Sequence, residues 1–547
     1  MDSEKLNQDA MRIGAHYHNN GYIDSRVSDP KIVIKEQWIE IEFKIIEGKQ
    51  FRIGKIDITG DLIKPKEDLL KYLKLEKNSI YNSETIRNDL MFLTDIYSNE
   101  GYAYADISPL IKKDDVLLTV NITYNIEKGK QVYFDRIIIH GNSKTRDKVI
   151  RRELRVYEQD LYRGILVKQS IRNLHRLDYF EDVQVDTIPG SSSDKMNLKI
   201  EVKEKPTGMF SFGGGYSSVD DAFIVGSITQ RNLFGRGQTL EAKGQLGGST
   251  NQFNISFTEP YLFDTLLSTG IDAYNWTREY DEYDKDSVGG RLSLGYPIWR
   301  YTKFYISYSY DISKIDNIDV GDAPNSIIEL QGENVTSSSS FTIRYDSRDR
   351  LFNPTEGSDH SFTYEYAGDI LGGDIGFNKY VARAGKYFPL FWNFVFLLHS
   401  EAGYVKGHSD KIVPDYELFH LGGINSLRGF EWEDLCPIEK VQIISNKHGV
   451  LSEVERLIGG NKFVQFNAEL IVPIVKDVGL MGVIFYDTGN VYKKNVHIDF
   501  SELRKSAGFG FRWYSPIGPI RLEHGYILDR KEGETSGRWE FSMGSVF

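Results

Sequence analysis

The sequence is poor in several features that most folds rely on. One cysteine, Cys436, stands among 547 residues, which excludes an internal disulfide framework and a Cys-based zinc site. No long apolar run exists. The longest stretch, Phe388–Leu398, is interrupted by Pro389 and Asn393. It falls far short of the ~20 residues a spanning helix needs, so a helical membrane protein is excluded. The opening residues Met1-Asp2-Ser3-Glu4-Lys5 are charged and no apolar run follows. No signal peptide is visible, and export would require a leader outside this sequence. A basic excess is missing too: the formal net charge of −12 argues against nucleic acid as a partner. There is no HExxH, no Walker loop and no nucleophile elbow. His16 and His18 stand two apart on a predicted helix and point to different faces, which is poor geometry for a metal. No enzyme activity, cofactor or metal is therefore expected.

What the sequence does have is 33 Tyr, 31 Phe and 50 Gly. Aromatic and β-branched residues at this density exclude general disorder. The length exceeds what one ordinary core holds, and the character changes near Pro206. Before it the chain is charged and mixes helical with strand-like periodicity. After it, aromatic alternation and glycine dominate and helical periodicity disappears.

The first part repeats with a period of about 80 residues. Glu47-Gly48-Lys49-Gln50-Phe51 recurs as Lys128-Gly129-Lys130-Gln131-Val132, and Asn20-Gly21-Tyr22 recurs as Glu100-Gly101-Tyr102. Each full unit reads strand, helix, helix, strand, strand, an α+β arrangement with both helices on one face. Full units are expected at 49–128 and 129–205. Residues 1–48 hold the last helix and final two strands of a further unit, which points to a longer array cut at its N-terminus.

From Thr207 onward sixteen alternating segments can be marked, most of them 8–12 residues. A tilted transmembrane strand needs ~9–11. In the last, 537–547, Trp539, Phe541 and Met543 share one face, while Arg538, Glu540 and Ser542 share the other. In the segment 462–472, Val464, Phe466 and Ala468 oppose Gln465, Asn467 and Glu469. A soluble sandwich also alternates. The even count, the aromatic face and the connections favour a closed membrane barrel, which leaves no backbone edge unpaired in hydrocarbon. Short connections hold Pro260, Pro297, Pro354, Pro389, Pro473, Pro516 and Pro519, and longer polar ones alternate with them. Outer-membrane barrels have tight periplasmic turns and long external loops. The expected fold is thus an all-β membrane barrel of sixteen antiparallel strands, 207–547, preceded by α+β repeat domains on the periplasmic side.

The longest connection, 404–461, carries Leu421-Gly422-Gly423-Ile424-Asn425-Ser426-Leu427-Arg428-Gly429-Phe430. Glycine permits close backbone approach, which a loop folding back into the lumen requires. A buried arginine there would need carboxylates. Glu469 and Asp487 have lumen-facing phase in the strands that follow, and the planar guanidinium suits them better than a lysine would.

This loop resembles the loop motif of the BamA family of outer-membrane assembly proteins. Gly460-Asn461-Lys462-Phe463, Phe485-Tyr486-Asp487-Thr488-Gly489-Asn490-Val491, Ser506-Ala507-Gly508, Ser515-Pro516-Ile517-Gly518-Pro519-Ile520-Arg521 and the terminal Phe541–Phe547 resemble its late strands. The N-terminal repeats resemble its POTRA domains. The resemblance implies a factor that folds and inserts β-barrel clients into the bacterial outer membrane. Its POTRA domains receive unfolded clients and dock accessory periplasmic lipoproteins, and its barrel contacts outer-membrane lipids. By motif, Leu427, Arg428, Gly429 and Phe430 form the lumen loop, with Glu469 and Asp487 as partners of Arg428. The sequence departs from the family in having two and a half POTRA units where BamA has five, and Cys436 alone cannot form the loop disulfide some members have. A TamA-like assembly factor and a two-partner secretion translocator for one passenger are the alternatives.

Closure requires the first strand to meet the last. Gly213, Gly214 and Gly215 run in succession in the first, and Gly544 and Phe547 lie at the end of the last. Glycine weakens a strand, so a lateral seam is expected here, where an opened edge can template a client strand.

Overall fold

The computed structural model describes residues 3–547 except 36–37, 218–220, 322, 351–352, 409–410, 412, 433, 446–449, 476–477, 516–517 and 544–547. The chain separates into two compact units, Met1–Pro206 and Thr207–Phe547.

In the first unit the expected repeat is present twice. Strand Arg52–Gly60 is followed by helices Lys66–Lys71 and Ser83–Asn99 and by strands Asp106–Asp114 and Thr119–Glu127. The last strand lies in the middle, parallel to the first and antiparallel to its neighbour. It takes the centre because its inward positions, Val120, Ile122, Tyr124 and Ile126, are all apolar and buried. The second copy repeats this order with Tyr133–His140, Asp147–Arg151, Gly164–Leu177, Phe180–Pro189 and a central Lys195–Glu204. Its inward stripe is Met196, Leu198, Ile200 and Val202. Residues 3–48 form helix Ser3–Asn19 and one interrupted hairpin, in which Arg26–Val27 pairs with Ile45–Ile46 and Lys31–Ile34 with Ile39–Glu42.

The joints between repeats are themselves repeated. The carbonyls of Gly21 and Gly101 accept from the backbone N–H of Phe51 and Val132, at 2.8 and 2.9 Å. The side-chain amides of Gln50 and Gln131 donate to the carbonyls of Asn20 and Glu100, each at 2.9 Å. The Asn at the end of one long helix caps the start of the next. Asn19 Oδ1 accepts from Glu84 N at 3.0 Å and Asn99 Oδ1 from Ile165 N at 2.8 Å. Helix starts carry orphan N–H groups, and here the preceding unit satisfies one of them.

The second unit is a closed barrel of sixteen strands. These are β1 (Gly208–Ser217), β2 (Asp221–Leu233), β3 (Gln238–Gly247), β4 (Thr250–Glu259), β5 (Ser268–Glu279), β6 (Asp284–Trp299), β7 (Thr302–Asp316) and β8 (Gly332–Asp346). Then come β9 (Gly357–Ala367), β10 (Phe377–Pro389), β11 (Val395–Gly407), β12 (Lys462–Val475), β13 (Leu480–Tyr492), β14 (Arg504–Ser515), β15 (Gly518–Ile527) and β16 (Gly537–Met543). Each is antiparallel to its neighbour. The alternation resolves as read: in β12 Gln465, Asn467 and Glu469 are buried inward while Phe466 is exposed on the outer wall. In β16 Glu540 and Ser542 are buried and Trp539 is exposed.

Two expectations need correction. β6, β7 and β8 are 16, 15 and 15 residues long, because their ladders continue into segments that read as polar loop. Cross-strand pairing there tolerates charge, as Lys314 opposite both Asp286 and Glu333 shows. Proline is also less confined to turns than its spacing suggested. Pro297, Pro389, Pro473 and Pro519 sit inside strands, at their turn-side ends. Register shifts follow immediately at Pro297/Trp299 and Pro473/Val475. A residue without an N–H fits where the ladder is already ending.

Candidate functional site

The 408–461 connection enters the barrel and binds its wall. Phe419 and Gly460 exchange backbone hydrogen bonds at 2.9 Å, and Leu421 and Leu435 form a second bridge. Between these anchors the chain turns at Gly422, Gly423 and Gly429, with φ of +117°, +87° and +94°. A side chain at Gly422 would meet the Glu431 carbonyl. Ser426 Oγ locks the turn, donating to Gly422 O at 2.7 Å and accepting from Gly422 N at 2.8 Å. Leu427 and Phe430 fill an apolar cluster with Leu421, Leu435, Phe463 and Val491.

Arg428 is thereby delivered to the inner wall, 2% exposed. Its guanidinium forks onto Asp487, with Nε–Oδ2 2.7 Å and Nη2–Oδ1 2.6 Å. Nη1 reaches Glu469 Oε1 at 2.7 Å, and the ring of Phe485 lies 3.6 Å from the guanidinium carbon. The structure therefore brings Arg428, Glu469 and Asp487 into direct contact. It also adds residues that the sequence reading missed. Glu523 Oε2 accepts from Arg428 Nη1 at 2.9 Å. Arg512 holds Glu469 with two bonds of 2.8 and 2.9 Å and Glu523 with one of 2.7 Å. Arg521 bonds Glu523 at 2.9 Å and the loop carbonyl of Ile424 at 3.0 Å. Three arginines meet three carboxylates, so the buried cluster is balanced. Buried ions remain ionised only when paired in this way. Asn467 completes it, donating to Asp487 Oδ1 at 2.8 Å and to the Ser426 carbonyl at 2.9 Å.

A signal for the missed residues existed. Strict alternation in β15 puts Arg521, Glu523 and Gly525 on one face, and Arg512 has the same phase in β14. Gly525 is the seat of the loop. A Cβ there would stand 2.5 Å from the Arg428 carbonyl carbon and the Gly429 nitrogen. Two glycines, 429 and 525, therefore meet backbone to backbone, the close approach that only glycine permits.

The seam is built differently. β1 pairs with β2 along its whole length, Gly208 with Gln230 through Ser217 with Asp221. Toward β16, among the described residues, its register pairing is Ser217 with Ser542. Tyr216 and Phe541 lie beside this point with ring centroids 6.3 Å apart. The three seam glycines differ. A Cβ on Gly215 would strike the Met543 carbonyl and the Phe223 ring, so β16 crosses directly over it. One on Gly213 would meet only Val225 at 3.9 Å. Gly544 and Phe547 lie outside the described residues. One further acid stands at this border: Glu540 of β16 pairs in register with Glu523, is buried, and has one oxygen without a hydrogen-bond partner.

Comparison with known proteins is consistent with this arrangement. Residues 232–547 match the Omp85 superfamily domain, and 51–129 and 132–205 each match the POTRA family, the surface antigen variable number repeat. The whole chain is 34% identical to the outer membrane protein assembly factor BamA of Nitratidesulfovibrio vulgaris, covering 68% of that protein. It is 28% identical to BamA of Neisseria meningitidis serogroup B, covering 73% of it. Among solved structures, BamA from Haemophilus ducreyi lacking POTRA domains 1–3 superposes with TM-score 0.72 at 23% identity, over 91% of this chain and all of that one. CdiB from Acinetobacter baumannii has the same general fold, with TM-score 0.52 at 16% identity over 90% of this chain and 89% of that one.

Proposed function

The chain belongs to the BamA family of outer-membrane protein assembly factors within the Omp85 superfamily, and from this premise we propose how it inserts its clients. The barrel parts between β1 and β16, and the freed edge of β1 pairs with an incoming strand of an unfolded β-barrel client. The observation that carries this reading is the ladder itself. It is continuous around the wall and reduces to Ser217 with Ser542, among the described residues, where it closes. An edge strand with unpaired N–H and C=O groups is a template for another chain.

The cluster around Arg428 keeps the loop seated while the seam moves. It ties the loop to β12, β13 and β15, all on one side of the opening. The tight turns face the periplasm and the 408–461 connection enters from outside. The POTRA units stand in the periplasm, where they receive clients and accessory lipoproteins. Their outer strands are Arg52–Gly60 and Tyr133–His140, each already bridged at its start to Ile80 or Leu161, and on the other side Asp106–Asp114 and Phe180–Pro189. The latter two edges are suited to adding an extended client segment. No chemical step is involved.

The test is a reversible staple. Ser217→Cys with Ser542→Cys, in a Cys436→Ser background, joins the facing residues of β1 and β16. Oxidised protein in vesicles is expected to stop inserting client barrels and to recover on reduction. Undiminished insertion by the oxidised form contradicts the seam mechanism. Depleting the protein should lower the amounts of many unrelated outer-membrane barrels. Loss of one secreted passenger alone would favour a dedicated translocator.

A further inference from the structure

The buried cluster on the inner wall has a fourth acid that its arginines leave out. Arg428, Arg512 and Arg521 are committed to Asp487, Glu469 and Glu523 through bonds of 2.6–2.9 Å. Glu540 of β16 faces Glu523 in register, is 2% exposed, and its Oε2 has no hydrogen-bond partner. The one cation of β16, Arg538, shares its face two residues away. Its Nη1 is drawn instead to Glu431 of the lumen loop, at 2.9 Å. Three arginines thus serve three carboxylates completely, and Glu540 is surplus. A carboxylate taken out of water without a counterion is costly, so a cation brought to this position is gained at little expense.

The place of Glu540 in the barrel says which cation can reach it. Glu540 and Ser542 share the lumen face of β16, and Ser542 forms the closing pair with Ser217. β15 occupies the other edge of β16 from Gly537 to Met543, so the approach is from the seam side. Any strand laid antiparallel along that edge has one residue opposite 542 and, two residues further on, one opposite 540. Those two side chains stand on the lumen face, where the facing Cβ atoms are about 5 Å apart. Opposite charges at such a pair stabilise it and like charges weaken it.

We propose that Glu540 is a recognition site for a basic side chain, lysine or arginine, carried on the lumen face of a client strand that lies along the freed edge of β16. The proposal deepens the seam reading and rests on it. Parting frees two edges: β1 templates the client on one side of the opening, and β16 receives it on the other. The charge of Glu540 then sets a register as well as a preference, because only one position of the client strand comes opposite it. Strands with an acid at that position are selected against.

The test uses the full chain with Ser542→Cys in a Cys436→Ser background, reconstituted in phosphatidylethanolamine/phosphatidylglycerol vesicles. Short peptides of alternating threonine and valine carry one cysteine as its thionitrobenzoate mixed disulfide. Two residues C-terminal to the cysteine they carry Lys, Gln or Glu. A peptide antiparallel to β16 sets its cysteine opposite 542 and its test residue opposite 540. Capture by the introduced thiol releases thionitrobenzoate, which gives the rate. The Lys peptide is expected to be captured several-fold faster than the Gln peptide, and the Glu peptide more slowly than either. Adding Glu540→Gln, which keeps the shape of the side chain, should erase these differences in protein that retains heat-modifiable migration. Moving Lys to two residues before the cysteine should erase its advantage too.

A Lys preference that survives Glu540→Gln, or that is equal in both registers, marks general attraction to an acidic chain and overturns the site. Equal capture of all three peptides overturns it as well, because Glu540 is then held neutral in the closed wall. Capture of none of them overturns it too, since no strand then lies along β16. The staple between positions 217 and 542 separates this from failure of the seam. If oxidation blocks client insertion while the peptides show no preference, the seam stands and the site falls; if oxidation leaves insertion undiminished, both fall.

Discussion

Strands β12–β15 and the pair β16/β1 are neighbours in one barrel, yet they are held by different physics. On the β12–β15 side a loop, three arginines and three carboxylates reinforce the ladder, and glycine meets glycine at 429 and 525. Toward β1 the register pairing narrows to Ser217 with Ser542 among the described residues. Closure of a barrel is a topological requirement of hydrocarbon, but nothing demands that all of its seams be equally strong. The proposed seam would place the strength on the β12–β15 side and leave the β16/β1 side free to part.

The largest effect on this contrast should come from Arg428→Ala. Removing one partner of a buried ion network costs about 3–5 kcal/mol, because the remaining charges lose their counterion. The variant should lose heat-modifiable migration at a lower temperature or assemble poorly. Arg428→Lys should rescue only in part, since an ammonium cannot fork onto Asp487 while reaching Glu469 and Glu523. Next comes Gly525→Ala, which leaves every charge in place but pushes the loop off its seat. Protease sensitivity of the 408–461 connection should rise; an unaltered digestion pattern would show that the loop is held by charge alone.

At the seam, two glycines provide a finer distinction. Gly215→Ala should disturb closure through collision with the Met543 carbonyl, while Gly213→Ala has room and should strengthen β1 modestly. Thermal melts of the two variants should move in opposite directions, and parallel shifts would break the assignment.

Within the POTRA repeats, Asn99→Ala removes a cap worth about 1 kcal/mol. It should broaden the spin-label distance distribution between the two POTRA domains while leaving the barrel unchanged. The smallest effect concerns Glu204. Burial alone would raise its pKa. Hydrogen bonds from Thr145, from the Lys144 N–H at 2.9 Å and from Ser143 at 2.8 Å outweigh that and lower it. A depressed carboxylate stabilises the fold fully above the ordinary glutamate range. That contribution fades as pH falls below about 4. Glu204→Gln should flatten the acid limb of the POTRA unfolding profile slightly.

Much of this molecule could be read directly from its residues. Period-2 alternation in β12 and β16 depends only on the pleat, so it predicts both the strands and their inward faces. The repeat in the first unit was visible because each joint needs the same glycine and the same glutamine. Arg428, Glu469 and Asp487 were legible as one cation in a glycine-rich loop and two acids of matching phase. Glu523, Arg512 and Arg521 were not. Their phase was available, but which strands the loop approaches depends on barrel curvature and stagger, which no local pattern encodes. The long ladders of β6–β8 were hidden for a related reason, since charged residues pair across strands as readily as they solvate a loop. The three seam glycines looked equivalent in sequence and separate only once β16 is seen to cross Gly215.

Hydrogen–deuterium exchange of the protein in vesicles tests the contrast most directly. Amides exchange faster where the free energy of local opening is lower. The account predicts that β16 and the outward-facing edge of β1 exchange well ahead of β12–β15. Uniform protection around all sixteen strands would contradict it.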